Sequence, residues 1–164
     1  INYHGEDTRL IVGDDNFIML GCHIAHDCVV GSRVIMANLA TLAGHVLVED
    51  DAVFGGFVAI HQYSRVGSVV MVAAGSKLSK DAPPYALVGG DPPRFIGLNR
   101  VGLKRVGMAE STRTDIRKAY RSIFSKETVL DEGLARAEAD HGGSDEVKHL
   151  IEFIRGSERG VIRT

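Results

Sequence analysis

The stretch VVGSRVIMANLATLAGHVLVEDDAVF, residues 29–54, repeats an apolar side chain at every sixth position. An α-helix turns once in about 3.6 residues, so it cannot keep a six-residue repeat on one face. A two- or three-residue strand followed by a tight turn can. The period therefore predicts short strands rather than helices in this stretch. The repeated apolar residues are Val30, Met36, Leu42, Val48 and Phe54.

The same repeat continues on both sides of this stretch without a break. Three hexads would close a triangular coil of 18 residues, and successive coils would pair through parallel strands about 4.8 Å apart. The small residue that often follows the apolar one is expected to let the chain turn each corner. These features predict a hexapeptide parallel β-helix of about four coils over residues 12–81. The apolar positions are Val12, Ile18, Ile24, Val30, Met36, Leu42, Val48, Phe54, Ile60, Val66, Val72 and Leu78.

The composition excludes several functional classes. The 164 residues are 45% hydrophobic and 24% charged, which suits one packed domain with a small appendage. A net charge of -2 argues against a nucleic-acid-binding protein, which would carry a basic excess. No apolar run approaches 18 residues, so no integral membrane segment is predicted.

The cysteines and the first residue indicate the compartment and the extent of the chain. Cys22 and Cys28 lie one hexad apart and are expected to be reduced thiols of a cytoplasmic protein rather than a disulfide. The sequence starts at Ile1, in what reads as the middle of a strand, without a signal-peptide pattern. An N-terminal truncation that removes earlier coils is therefore expected.

The sequence changes character after residue 81. Pro83 and Pro84 cannot donate ladder hydrogen bonds, so they are predicted to end the strand stack. Residues 89–94, GGDPPR, are predicted to form a loop that reverses the chain.

From Asn99 onward, the apolar residues are spaced three and four apart, as in amphipathic helices. The expected organisation is a parallel β-helix over residues 1–98 and a small helical domain over residues 99–164. The helices are expected to pack on each other and on the end of the prism. Their predicted N-caps are Ser111, Thr128 and Ser144.

Four of the seven histidines fall in the repeat region, where a prism has no structural need of them. His26 and His45 are 19 positions apart and His45 and His61 are 16 apart, so 18-residue coils bring them near one edge. His23 lies half a hexad before His26. Histidine titrates near working pH and suits general-base chemistry. Four histidines in vertical register predict a functional site rather than scattered surface side chains.

Four segments resemble one known family. Residues 21–28, GCHIAHDC, resemble the H-I-A-H-D-C signature of the acyl-carrier-protein-dependent UDP-N-acetylglucosamine O-acyltransferases, which perform the first step of lipid A biosynthesis. Residues 40–45, ATLAGH, residues 59–63, AIHQY, and residues 102–105, GLKR, fit the same family. The resemblance runs from about Gly5 to the C-terminus. It implies a left-handed parallel β-helix followed by a small C-terminal α-helical domain.

The resemblance also implies a reaction and the residues that perform it. In this family the sugar 3-hydroxyl attacks the thioester of an acyl-carrier protein directly. By resemblance, His26 is the general base, Asp27 orients it and the Gly44 N–H is the oxyanion donor. A carboxylate on the other ring nitrogen would fix the tautomer and favour the imidazolium. Substrate-binding roles fall to His23, His45, His61 and Gln62, and to Asn99 and Arg105 on the uridine-diphosphate side, across a subunit interface.

One position is implied to set the length of the acyl chain. A residue on a late coil blocks the acyl groove in this family, and the matching residue is Ala74. The alternative interpretation is that Ala74 is small only because the prism turns at this corner. The chain departs from the family at Val106, where relatives often carry a second arginine. The loop around Arg94 also lacks a histidine that some members place there.

Three alternatives remain open from the sequence. One is the sister N-acyltransferase that acts on an acylated amino sugar. Another is a zinc prism similar to the gamma-class carbonic anhydrases, with three histidines between subunits. The third is a structural prism without activity. The H-D-C signature and the long helical tail favour the O-acyltransferase.

The favoured interpretation carries expectations about partners. The flat faces of a β-prism and the prevalence of cyclic symmetry predict a homotrimer with the histidines in a cleft between subunits. The expected partners are acyl-carrier protein, with its phosphopantetheine arm, and UDP-N-acetylglucosamine. No metal and no further cofactor are expected, and no nucleic acid.

Overall fold

The computed structural model describes residues 9–125 and 129–163. Two-residue strands follow one another at six-residue intervals through the first part of the chain. They are β1 (Ile11–Val12), β2 (Phe17–Ile18), β3 (His23–Ile24), β4 (Val29–Val30), β5 (Ile35–Met36), β6 (Thr41–Leu42), β7 (Leu47–Val48), β8 (Val53–Phe54), β9 (Ala59–Ile60), β10 (Arg65–Val66), β11 (Met71–Val72) and β12 (Lys77–Leu78).

Each strand pairs in parallel with the strand three places later in the chain. Ile35 lies opposite Val53 and Met36 opposite Phe54, a register of 18 residues. The strands therefore form three sheets, which are the faces of a triangular prism: β1-β4-β7-β10, β2-β5-β8-β11 and β3-β6-β9-β12. The predicted parallel β-helix and its 18-residue coil are confirmed.

The apolar residue of each hexad points into the prism, as predicted. Met36, Leu42 and Phe54 are fully buried, and so are Val34 and Ala40 two positions before them. Two inward side chains per hexad, most of them aliphatic, fill the narrow core. The core then continues into the helical part of the chain.

The corners are built differently from the prediction. From Val12 to Val72, the residue with positive φ is the third after each apolar residue, and most of these residues are not glycine. The glycine directly after the apolar residue serves close packing between coils instead: a methyl group at Gly55 would lie 2.5 Å from the backbone nitrogen of Ala74. The prediction that this small residue makes the turn is therefore wrong. The left-handed residues include Asp27, Arg33, His45, Asp51 and Tyr63.

The strand stack does not end at Pro83 and Pro84, contrary to the prediction. Strand β13 (Ala86–Gly90) continues the second sheet and pairs with β11 in parallel. Strand β14 (Pro93–Leu98) then folds back on β13 in antiparallel pairing. The prolines occupy a corner, where no ladder hydrogen bond is needed. The predicted reversal of the chain over residues 89–94 is confirmed as the turn of this hairpin.

Four helices follow: α1 (Arg100–Arg105), α2 (Glu110–Ile123), α3 (Leu130–His141) and α4 (Asp145–Arg155). The sequence analysis missed α1, which has only six residues. Ala109, not Ser111, precedes α2, so that predicted cap is wrong by two residues. Ser144 occupies the N-cap position of α4 as predicted, whereas Thr128, like Ile1 and Gly5, lies outside the described residues.

The helices pack on one another and on the end of the prism, as expected. The Tyr120 hydroxyl donates to the Pro84 carbonyl at 2.5 Å. Arg65 on β10 donates to the Phe153 and Gly156 carbonyls of α4, and its guanidinium lies 4.1 Å from the centre of the Phe153 ring. The predicted division at residues 98 and 99 falls between β14 and α1 and remains a prediction. Within the described residues, no helix could span a bilayer.

Candidate active site

The site is built on one corner of the prism, called here the histidine corner: residues 26, 27, 44, 45, 62 and 63. The 18-residue register stacks His26, Gly44 and Gln62 in one column, and Asp27, His45 and Tyr63 in the next. All three residues of the second column have positive φ. The repeat thus turns residues that are distant in the chain into neighbours on successive coils.

His26 and Asp27 form a tight hydrogen-bonded pair. Nδ1 of His26 lies 2.6 Å from Oδ2 of Asp27. An ionised carboxylate only accepts hydrogen bonds, so Nδ1 carries the proton and donates it. In the neutral imidazole, Nε2 of His26 then keeps its lone pair, and 47% of the side chain is accessible. This is the arrangement of a general base held by a carboxylate.

Asp27 is held more deeply than the histidine it supports. Only 12% of its side chain is accessible, and its second oxygen, Oδ1, is buried without a hydrogen-bond partner among the described residues. Oδ2 also faces Nε2 of His45 at 3.6 Å, beyond hydrogen-bond distance. Asp27 is thus both the corner residue and the partner of His26.

Gly44 makes room for the base. A methyl group at Gly44 would lie 2.7 Å from Cε1 and 2.8 Å from Nε2 of His26, closer than side chains approach one another. The imidazole therefore lies directly over this backbone. Among the described residues, the Gly44 N–H has no protein acceptor, while its carbonyl accepts from the Tyr63 N–H at 3.2 Å. A free backbone donor thus lies beside the free nitrogen of His26.

The equivalent backbone position binds anionic oxygen at another corner. Ser32 and Ser68 occupy the hexad position of Gly44, one residue before a left-handed residue. Ser32 N–H donates to Asp50 Oδ1 at 2.9 Å, and Ser68 N–H donates to Glu49 Oε2 at 2.7 Å. The corner N–H of this fold is therefore directed outward and able to bind a negatively charged oxygen.

The donor atoms of His26, Asp27 and His45 lie within 4.8 Å of one another and are the only such group of three among the described residues. Two ligands of one tetrahedral zinc ion are roughly 3.3 Å apart, given metal–ligand distances near 2.0–2.1 Å. His26 Nδ1 and Asp27 Oδ2, at 2.6 Å, are closer than that. Their geometry is that of a proton shared between base and carboxylate rather than of two metal ligands.

The adjacent cysteine is not a nucleophile. Cys28 is fully buried, and its thiol donates to the Ala43 carbonyl at 3.1 Å. Burial, as the largest cause, raises the pKa of this thiol. Cys22 is likewise an unbridged thiol and donates to the Ala37 carbonyl. Both cysteines complete the interior of the prism, as predicted.

The structure only partly supports the predicted vertical stripe of four histidines. His26 and His45 are in contact, with ring centroids 5.1 Å apart and nearly perpendicular planes. His23 lies on β3 opposite Thr41, and His61 follows β9 with its Nδ1 bonded to the Gln62 carbonyl at 3.1 Å. Both are exposed on the same edge without stacking on the central pair, because their hexad positions differ from that of His45.

Asn99 and Arg105 lie elsewhere in the chain. They line a cavity of about 910 Å³ that also includes Ile35 and Val53 of the second sheet, while the histidines lie at the meeting of the third and first sheets. Asn99 is buried; its Oδ1 accepts from the Gly102 N–H and its Nδ2 donates to the Val69 carbonyl. Both atoms of its side-chain amide are therefore hydrogen-bonded within the protein at the N-terminus of α1. Its contact with substrate remains a prediction.

Ala74 lies exposed on another corner of the prism, the one formed with Asn38 and Gly56. The third sheet separates it from the histidine corner, and the outward residues of that sheet include the small side chains of Thr41 and Ala59. The role of Ala74 in setting the length of the acyl chain remains a prediction.

Sequence analysis missed the part that Tyr63 plays in this corner. Its ring stacks on His45, with centroids 4.6 Å apart and planes inclined by 9°. Both rings also line a cavity of about 370 Å³ together with Arg65 and Arg159. The signal was present in the 18-residue separation of His45 and Tyr63, but a period alone does not say which rings touch.

Comparisons with known proteins show which family the chain belongs to. A family model described as UDP N-acetylglucosamine O-acyltransferase, domain 2, matches residues 81–162. The O-acyltransferase of Anaeromyxobacter dehalogenans is 36% identical over 99% of this chain and 73% of its own length. That of Thiobacillus denitrificans is 41% identical over 93% of this chain and 59% of its own length. The solved structure of the Francisella novicida UDP-N-acetylglucosamine acyltransferase superposes with a TM-score of 0.89 at 32% identity.

The fold and the histidine corner define the class as acyltransferases built on a hexapeptide β-helix. Within that class, the chain belongs to the family of acyl-carrier-protein-dependent UDP-N-acetylglucosamine O-acyltransferases. The superposition with the Francisella structure includes 93% of this chain but only 56% of the solved chain. Family membership decides among the alternatives that the sequence left open, in favour of the O-acyltransferase.

Proposed function

We propose that the chain carries the catalytic corner of an enzyme that moves an acyl group from acyl-carrier protein to the 3-hydroxyl of UDP-N-acetylglucosamine. The observation that carries this proposal is the pairing of a free imidazole nitrogen on His26 with a free backbone N–H on Gly44. A base and an oxyanion donor on one corner are the two groups that acyl transfer requires.

The reaction is a direct transfer without a covalent enzyme intermediate. Nε2 of His26 takes the proton of the sugar hydroxyl while that oxygen attacks the thioester carbon. The charge that develops on the carbonyl oxygen is held by the Gly44 N–H. Collapse of the tetrahedral species breaks the carbon–sulfur bond, and the imidazolium returns its proton to the leaving thiolate of the phosphopantetheine arm. Asp27 holds Nδ1 and stabilises the imidazolium in between.

The acceptor sugar is held by the polar side chains around this corner. His23, His45, His61 and Gln62 surround His26 on the same edge and offer hydrogen bonds to sugar hydroxyls and phosphate oxygens. Arg105 and Asn99 serve the uridine-diphosphate end. Within one chain these two line a different cavity from the histidines, so the complete site is assembled between subunits.

A homotrimer would bring these two halves together. The outward side of the second sheet presents an apolar row suited to burial against another copy. Phe17 is 60% exposed in the single chain, and Ile35, Val53 and Met71 follow it up the sheet. A three-fold arrangement would lay this face, with Arg105 at its upper end, against the histidine corner of a neighbour.

The acyl chain would lie across the third sheet from the histidine corner toward Ala74. The small outward residues Thr41 and Ala59 leave the path open, and the Ala74 methyl stands at its far end. One methyl more than glycine would shorten the accepted chain slightly, since forcing a methylene into a filled groove costs about 1–3 kcal/mol. Ala74 is therefore the proposed ruler of acyl-chain length.

The remaining features of the proposal concern cofactors and compartment. The acyl donor brings its own phosphopantetheine arm, and the base and backbone donor complete the chemistry, so no metal or further cofactor is proposed. We also propose a cytoplasmic location. The two unbridged cysteines, one of them fully buried, support a reducing compartment.

The test compares a base with a binding residue. His26→Ala is expected to lower kcat by about 10²–10⁴, the usual contribution of a general base, with little change in KM. Arg105→Ala is expected mainly to raise KM for UDP-N-acetylglucosamine, because the phosphate it binds does not react. The measurement is steady-state transfer from a 3-hydroxyacyl carrier protein.

His149→Gln is the matched control, because His149 also pairs with a carboxylate, Glu49, at 2.7 Å but lies away from the site. Its kcat should equal that of the wild type. Equal kcat losses in the His26 and Arg105 variants at unchanged KM would overturn these roles, and full activity of His26→Ala would overturn the proposed reaction.

A further inference from the structure

Tyr63 occupies the third level of the column that begins with Asp27 and His45. The 18-residue register places it one coil above His45, and its left-handed backbone, with φ of 62°, turns the side chain outward at the corner. Its ring lies flat on the His45 ring, at 4.6 Å between centroids and 9° between planes. Stacking this close and this parallel fixes the plane of the imidazole.

His45 has little else to hold it. Its nearest charged partner, Asp27 Oδ2, is 3.6 Å from Nε2, and its side chain makes no hydrogen bond among the described residues. More than a third of the side chain is accessible. On the opposite side from Tyr63, His26 contacts it edge-on at 5.1 Å. The orientation of His45 is therefore set by two ring contacts rather than by a hydrogen bond.

We infer that Tyr63 is a positioning residue, which holds the His45 imidazole in the orientation that meets the acceptor sugar. The inference rests on the proposed function for the role of His45, but the contact itself does not. Without the stack, the His45 ring samples other rotamers, and the sugar must select the productive one on binding. The cost therefore falls on acceptor binding, while His26, held by Asp27, retains its chemistry.

The inference separates the Tyr63 ring from its hydroxyl. Tyr63→Phe keeps the stack and should bind and turn over like the wild type, within about twofold. Tyr63→Leu removes the aromatic face and should raise KM for UDP-N-acetylglucosamine by about 2- to 10-fold, the usual range for an aromatic pair, with kcat within about twofold. An equal loss in both variants would show that the hydroxyl contacts the ligand directly, and would overturn the inference.

A double-mutant cycle with His45→Ala tests whether the effect passes through His45. Adding Tyr63→Leu to the His45→Ala variant should raise KM by less than about twofold further, because the residue being positioned is gone. A full additional loss would show that Tyr63 acts independently of His45 and would overturn the inference.

A nuclear magnetic resonance measurement tests the contact without reference to catalysis. The ring protons of His45 lie over the Tyr63 ring and should move downfield when Tyr63→Leu removes its ring current, and should stay nearly in place in Tyr63→Phe. Unchanged His45 signals in Tyr63→Leu would overturn the contact. If the signals move while His26→Ala keeps full activity, the contact stands and the proposed function fails.

Phe57→Leu is the matched control. Phe57 is an exposed aromatic residue at the same hexad position on another corner, with φ of 59°, and among the described residues its ring stacks on no histidine. It should leave the His45 signals unchanged. A shift of those signals in this variant would show that loss of any corner aromatic perturbs His45, which would also overturn the inference.

Discussion

Two corners of the same prism use the same backbone in opposite ways. At the corner formed by Ser32, Asp50 and Ser68, the Ser32 and Ser68 N–H groups donate to Asp50 and Glu49, and Arg33 bridges Asp50 and Asp51 at 2.9 Å. At the histidine corner, within the part of the chain that the structure describes, the equivalent N–H of Gly44 has no protein acceptor and one Asp27 oxygen is buried without a partner.

The two corners therefore differ in how fully their polar side chains are paired. At the first corner, every carboxylate named above meets an N–H, an arginine or a histidine, so each of these carboxylates already has a partner. At the histidine corner, Nε2 of His26 and Oδ1 of Asp27 have no such partner among the described residues. Since both corners have the same turn geometry, side-chain chemistry alone decides between them, and substitution can test each side of the comparison.

The largest effect on kcat is expected at the aspartate that each corner carries at the left-handed position. Asp27→Asn removes the charge that supports the His26 imidazolium, and kcat should fall by about 10²–10³. Asparagine tolerates the left-handed backbone of this position, so the fold should be unaffected. The measurement is steady-state kcat together with thermal unfolding.

Asp51→Asn is the control at the other corner, with φ of 61° at both positions. Asp51 faces an exposed arginine that also holds Asp50, so its loss should lower the free energy of unfolding only slightly and leave kcat unchanged. Equal kcat values for the Asp27 and Asp51 variants would remove the distinction between the corners.

A smaller effect on kcat is expected from filling the space between Gly44 and the His26 ring. Gly44→Ala places a methyl group 2.7 Å from the His26 ring, so the exposed ring must shift while the backbone N–H is kept. Displacement of the base by a fraction of an ångström should lower kcat by about 10- to 10²-fold. Kinetics of the variant, with its unfolding free energy, provide the measurement.

Gly56→Ala offers a matched control, since a methyl group there would approach only the Asn38 carbonyl, at 3.3 Å. With an acyl donor too short to reach the Ala74 corner, its kcat should stay within about twofold of the wild type. A wild-type kcat in Gly44→Ala would mean that the close packing of His26 on Gly44 does not contribute to catalysis.

The smallest effect is expected on stability, from the hydrogen bond between His149 and Glu49. The Glu49 carboxylate raises the pKa of His149 through their hydrogen bond, with a smaller contribution from Glu152, while burial and Arg65 oppose the rise. Because the folded pKa lies above the unfolded value near 6.5, the pair stabilises fully below about pH 6.5. That stabilisation is lost as the pH rises through the folded pKa.

His149→Gln should therefore unfold more easily than the wild type at pH 6, by about 1 kcal/mol or less, because the pair is partly exposed. The difference should narrow by pH 9, as measured by urea unfolding at both values. His141→Gln, at the end of α3, controls for general histidine titration. A difference that grows with pH would contradict the assigned sign.

The period of the sequence was sufficient for the prism but not for its corners and ends. An 18-residue coil follows from backbone geometry that repeats locally, so the columns of His26 with Gly44 and of Asp27 with His45 could be derived from the numbers alone. The non-glycine left-handed corners were not foreseen, because the penalty for positive φ is outweighed by the packing of each coil on the next. The continuation past Pro83 and the short helix α1 depend on contacts with distant residues.

Sequence by itself determined the hexad fold, the candidate base and the family. Those depend on residue type and spacing, which a chain carries in its order. Only the tertiary structure decided which groups meet. Among the described residues it leaves one Asp27 oxygen and the Gly44 N–H without a partner, and it stacks Tyr63 on His45. These features depend on rotamers and on exclusion of water between coils, which are set by packing once all the coils are in place.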